Sequence, residues 1–202
     1  MKRNVIFVLV LVAVFALSRI PGLMPPNFSA AYALAFCAGV YFPGALAWWL
    51  PLGTLLGTDI LLNALYYHTA IFDGHIFFKT VAFAGLVGLG RLFSARNSWV
   101  KLLFGGILGA LLFYLVTNIA SWFFEPGYPK TFAGLIQALT IGLPNYPSTW
   151  EFFRNTLASG GLFTGLFVGT AKLVETAEAA EEKEAAAEEA PEPEQAPEEA
   201  GT

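Results

Sequence analysis

The chain has 202 residues, of which 56% are apolar and 13% charged, and a mean hydropathy of +0.60. A soluble domain of this size carries about a quarter charged residues, so the composition argues against one. From Glu175 onward there are eleven Glu and one Lys, a balance of −10, whereas residues 1–174 hold ten Lys/Arg and four Asp/Glu, a balance of +6. The chain therefore divides into a basic apolar body, 1–174, and an acidic tail, 175–202. A single cysteine, Cys37, excludes an intramolecular disulfide and any multi-cysteine zinc or iron–sulfur site.

A helix needs about 20 residues to cross the hydrocarbon core, and six apolar stretches approach that length. The first, Asn4–Ile20, follows Lys2 and Arg3. With Ala16-Leu17-Ser18 at its end it also fits a signal peptide, but the further spans favour a first transmembrane helix. The second is Phe28–Phe42, closed by a Pro43-Gly44 turn, and the third Ala45–Tyr66. After a polar stretch, His68 to His75, the fourth is Ile76–Phe93, and a basic loop leads to the fifth, Leu102–Phe124. The connection Glu125 to Trp150 contains Thr131–Leu143, apolar but bounded by Pro129 and Pro144. It reads as a re-entrant or interfacial helix, with a seventh, tilted span as the alternative. The sixth span is Phe152–Val174. The expected fold is an all-α membrane protein of about six transmembrane helices, with a disordered tail of Ala, Glu and Pro too poor in apolar surface to order itself, or one fraying from a helix as far as about Ala190, where Pro191 and Pro193 would stop it.

The positive-inside rule puts Lys2, Arg3, Arg91, Arg96, Lys101 and Lys172 in the cytoplasm, with both termini, in a bacterial inner membrane. Small residues recur four apart at Gly53/Gly57, Gly105/Gly109 and Gly161/Gly165/Gly169, a spacing that lets helices approach closely.

Polar residues within lipid are costly and concentrate at functional places. Arg19, Asn27, Asp59, Asn63, Asn118, Trp122, Tyr128, Lys130, Arg154 and Asn155 all fall towards the outer leaflet in the six-span arrangement. They describe an outward-facing pocket roofed by the long connection. Arg19, Lys130 and Arg154 would hold an anionic or polar group, Asn27, Asn63 and Asn155 would orient it, and Trp122 and Tyr128 would cover an apolar portion. Asp59 would pair with Arg19 or Arg154, and Lys79 would snorkel to the headgroups. His68, Asp73 and His75 match no standard metal spacing, and Cys37 reads as an apolar filler. No metal or cofactor is expected. Hydrolase, metalloprotease and nucleotide-binding motifs are absent, which points to a binding module rather than an enzyme and leaves any ATP hydrolysis to a partner.

Three stretches carry a resemblance: Pro26-Asn27-Phe28-Ser29 with Ala38-Gly39-Val40-Tyr41-Phe42; Pro51-Leu52 with Thr58-Asp59; and Tyr128-Pro129-Lys130-Thr131 with Phe153-Arg154-Asn155-Thr156-Leu157. In order and spacing they resemble a bacterial membrane family of unknown function grouped with transport proteins. Ala30 stands where that family's pattern has proline, Thr58 where it often has serine, and Gly160 where it has an acidic residue. The resemblance implies a fold similar to the substrate-binding subunits of energy-coupling-factor vitamin importers. Those hold a solute near the outer face and depend on a transmembrane coupling protein with ATPases. The partners expected are thus the lipid bilayer, a small solute and such a coupling protein, and no nucleic acid. The alternative is an assembly protein whose glycine faces pack against a partner helix and whose acidic tail recruits a cytoplasmic protein.

Overall fold

The computed structural model of the protein describes residues 2–69 and 74–188, with side chains for 8–69 and 76–185. Expectations resting on Asp73, on the side chains of Lys2, Arg3 and His75, or on residues 189–202 lie outside the described residues. The helices are α1 Lys2–Leu17, α2 Ala31–Tyr41, α3 Leu46–Leu62, α4 Gly74–Gly90, α5 Trp99–Phe124, α6 Phe132–Thr140 and α7 Thr149–Glu188. A π-helical turn, Asn63–Tyr67, continues α3. No strand occurs among the described residues. The chain forms two compact units, Met1–Val168 and Gly169–Thr202.

The all-helical expectation holds, and each apolar stretch read from the sequence contains a helix. Two of these, Trp99–Phe124 and Thr149–Ala185, are long and apolar enough to cross a membrane. The 26 residues of α5 extend about 39 Å at 1.5 Å per residue, more than the hydrocarbon thickness of about 30 Å. Large apolar side chains remain exposed along the first unit, among them Leu9, Leu61, Phe77 and Phe104.

In the first unit α2 is the central helix. It packs against α1, α3, α4 and α5, and every residue from Ala31 to Gly39 is buried. Ala31, Ala33, Ala35 and Ala38 leave room for neighbours on several sides. The closest crossing lies between Gly39 and Gly90: a Cβ on Gly39 would stand 2.3 Å from the Val87 carbonyl oxygen, and one on Gly90 2.2 Å from that of Phe36. Between α5 and α7, Gly106 lies under Thr164 and Gly160 against Ala110. The glycines at four-residue spacing behave less uniformly. Gly105 is covered by Phe36 and Phe93, Gly109, Gly161 and Gly165 meet ordinary neighbours, and Gly53 and Gly57 face open space.

The first half of the tail follows the reading of a helix that reaches about Ala190. Residues 175–188 are helical, the continuation of α7. Ala, Glu and Lys have high intrinsic helix propensity, and Pro191 lies beyond the helix end. Ordering these residues therefore needs no buried apolar face.

Candidate functional site

The first unit has two distinct ends. At one, the turn after α2 is tied down by Arg91, whose guanidinium donates to the carbonyls of Phe42 at 3.1 Å and Gly44 at 2.9 Å. At the other, the end of α1, the loop to α2, the last turns of α3 and the first turns of α4 surround a cavity of about 480 Å³. Ser18, Arg19, Asn27, Tyr32, Leu55, Asp59, Asn63, Tyr67, Lys79, Phe83 and Phe113 contribute to its walls.

Local sequence explains how these side chains reach one place. Ser18 ends α1 by donating its hydroxyl to the Phe15 carbonyl at 2.8 Å, and the same oxygen accepts from the Ala30 amide at 3.0 Å. The end of α1 is thus fastened to the start of α2. Asn27 adopts a left-handed backbone, φ 59°, which Asn tolerates better than most residues. Its carbonyl accepts from the Tyr32 hydroxyl at 3.1 Å. From α7, Asn155 donates to the Pro26 carbonyl at 2.9 Å, so the loop over the cavity is held from two sides.

Asp59, Asn63 and Tyr67 are four residues apart. In an unbroken α-helix each such step drifts about 40° around the axis. The π turn bonds i to i+5, as the His68 amide does to the Asn63 carbonyl, and rotates less per residue. It returns Tyr67 towards the face that carries Asp59.

The charges are concentrated. Asp59 is 4% exposed. One carboxylate oxygen accepts from the Arg19 guanidinium, and the other lies 2.9 Å from Lys79 Nζ. Arg19 also lies over the Phe15 ring, 5.9 Å from its centroid, a cation–π placement. Two cations on one carboxylate leave a charge of +1 among the described charged residues of the wall. Tyr32, Phe83 and Phe113 form an aromatic floor to the same cavity, with centroids 4.7 Å apart for Tyr32–Phe113 and 5.3 Å for Phe83–Phe113.

The residues expected to share one pocket are therefore divided. Arg19, Asn27, Asp59 and Asn63 do line this cavity. Asn118 and Tyr128 line another, of about 300 Å³, with Ser121, Glu125, Thr149 and Phe152. Burial and the neighbouring Glu125 charge push the Tyr128 hydroxyl above its ordinary pKa, and a hydrogen bond with Thr149 partly offsets this. Trp122 and Lys130 fasten the connection itself. Trp122 Nε1 donates to the Pro129 carbonyl at 2.9 Å, and Lys130 Nζ donates to the carbonyls of Trp122 at 2.6 Å and Glu125 at 2.7 Å. Lys130 thus satisfies carbonyls left over at the end of α5. Asn155 braces the loop from behind, and Arg154 is exposed and lines neither cavity. The connection does not roof the larger cavity; the loop Ile20–Ser29 does.

Lys79 was read as a snorkelling residue and instead pairs with Asp59. The clue lay in the sequence: Asp59 and Lys79 are oppositely charged residues in adjacent apolar stretches, and charges in such stretches usually pair. Among the described residues no cluster of His, Cys, Asp and Glu could hold a metal ion.

No curated protein matches this sequence. The model of DUF6580, a family of unknown function, matches residues 1–184, and the chain belongs to that family.

Proposed function

We propose that the protein is a multi-pass inner-membrane transport component that binds a small polar or anionic solute and catalyses no reaction itself. The observation that carries this reading is the cavity of about 480 Å³ in which Arg19 and Lys79 flank the buried Asp59. Its size falls in the usual range for small-molecule sites, about 300–1,000 Å³. Cations in a part-buried cleft focus the field on an incoming anion.

Length and apolar composition single out α5 and α7 as spans. Exposed Leu9, Leu61 and Phe77 on α1, α3 and α4 support placing those helices in the bilayer beside them, which with α2 makes six. On α6, Gly134 and Ala138 face inward while Phe132, Ile136 and the following Ile141 are exposed; this suits an interfacial helix. With Arg91, Arg96 and Lys101 inside, the cavity opens outward. Since the sequence has no nucleotide-binding motif, energy would come from a coupling protein with ATPases or from an ion gradient.

Native mass spectrometry of the full chain, purified in mild detergent from its own host, tests this reading. A bound small molecule retained by Arg154→Ala and lost by Arg19→Ala is the expected result. Loss of the molecule in neither variant places binding elsewhere and overturns the reading. The assembly reading is favoured by one observation, the open space over Gly53 and Gly57 on α3. Deletion after Val174 separates the two: it spares solute binding in a transport component and abolishes partner recruitment in an assembly protein.

A further inference from the structure

We infer that the cavity takes a monoanionic solute with a flat aromatic portion, an inference that rests on the solute-binding reading above. Three observations meet in the same cavity. The first is charge. The described wall carries +1, so one carboxylate brings the site to neutrality. A dianion such as a phosphate monoester would leave a net negative charge in a poorly screened place, where like charges repel strongly. Arg19 spends one nitrogen on Asp59, and a guanidinium has five donors in a planar fork while an ammonium has three. Both cations therefore keep donors for a second carboxylate without releasing Asp59. Asp59 holds the two cations in place before the ligand arrives.

The second observation is the floor. Tyr32, Phe83 and Phe113 all line the cavity, and each ring lies within 6.2 Å of the other two, centroid to centroid. The Tyr32 ring is tilted 38° to Phe83 and 48° to Phe113, while Phe83 and Phe113 meet at 84°. All three are largely buried and reach the cavity by part of their surface, and a further ring can join such a cluster by offset or edge contact. The third is that Asn27 and Asn63 also line the cavity. Amide side chains both donate and accept, which suits a polar substituent on the solute.

Equilibrium binding to the full chain in lipid nanodiscs tests the inference with four probes: 2-naphthoate, 2-naphthalenemethanol, 2-naphthylmethylamine and octanoate. The expected result is that 2-naphthoate binds about tenfold or more tighter than the alcohol, the amine and octanoate, since the alcohol and the amine lack the charge-assisted contact and octanoate lacks the ring contact. Arg19→Gln should erase the preference for acid over alcohol. Phe113→Leu should weaken 2-naphthoate about fivefold and octanoate much less. If Arg19→Gln does not fold, Lys79→Gln tests the same preference. An alcohol or amine that competes with and equals the acid would overturn the anionic class while leaving the cavity a solute site. Octanoate equal to 2-naphthoate would overturn the aromatic part. No binding of any probe, together with a bound host molecule lost in Arg19→Ala, would overturn the inference alone; no binding and no host molecule would overturn the solute-binding reading as well.

Discussion

Asp59 holds the cavity together through its two cations. A buried carboxylate survives only when paired, and removing one member of such a cluster leaves charge uncompensated. Asp59→Asn leaves Arg19 and Lys79 facing each other and should destabilise the protein by about 3 kcal/mol, seen as a lower unfolding temperature in detergent. An unchanged unfolding temperature would refute the cluster's structural role. Lys79→Met should cost less, about 1 kcal/mol, because Arg19 still neutralises the carboxylate and Lys79 is partly exposed. Arg154→Ala, at an exposed position, should shift stability by no more than about 0.5 kcal/mol. The sequence offered Asp59 two partners, Arg19 and Arg154, and the structure pairs it with Arg19. The division of the other polar residues was not legible in the sequence, because leaflet depth says nothing about direction around a helix axis. Arg154 and Asn155 are adjacent in the chain, yet Arg154 is exposed and Asn155 grips Pro26.

At the scale of elements, glycine position separates packing from spacing. Gly39 and Gly90 touch backbone across the α2–α4 crossing, and backbone atoms there have no rotamer by which to yield. Gly39→Ala should therefore cost about 2–3 kcal/mol or more, measured by thermal unfolding. Gly57→Ala meets open space and should be neutral or gain up to about 1 kcal/mol from helix propensity. A large loss of yield or stability for Gly57→Ala in the native membrane, absent in detergent, would point to a partner helix on that face. The sequence displayed Gly53 and Gly57 as a motif and gave no special place to Gly39 and Gly90. Four-residue spacing marks one helix's own face; a crossing between two helices is a meeting of glycines 51 residues apart in the numbering. The π turn after α3 was equally hidden, because it depends on where the chain must aim Tyr67 rather than on the composition of Asn63–Tyr67.

At the scale of the molecule, the proposed outward opening of the cavity makes a topological prediction. Cys37 is buried, so a Cys37→Ala background is suited to site-directed labelling. In that background Met24→Cys, in the cavity loop, should react with an impermeant maleimide on intact cells. Arg96→Cys, in the basic loop, should react only after the membrane is opened. The reverse pattern would turn the cavity to the cytoplasm and invert the transport direction proposed. Sequence alone determined the helical class, the apolar body and the acidic tail's composition, because hydropathy and helix propensity act on runs of neighbouring residues. The six stretches and the short helix in the long connection followed from the same local physics. Only the tertiary structure decided that Lys79 joins Asp59, that Ile20–Ser29 and not the long connection covers the cavity, and that Lys130 serves the end of α5. Each depends on how neighbouring helices are rotated about their axes and on where loops cross, and packing between residues distant in sequence sets both.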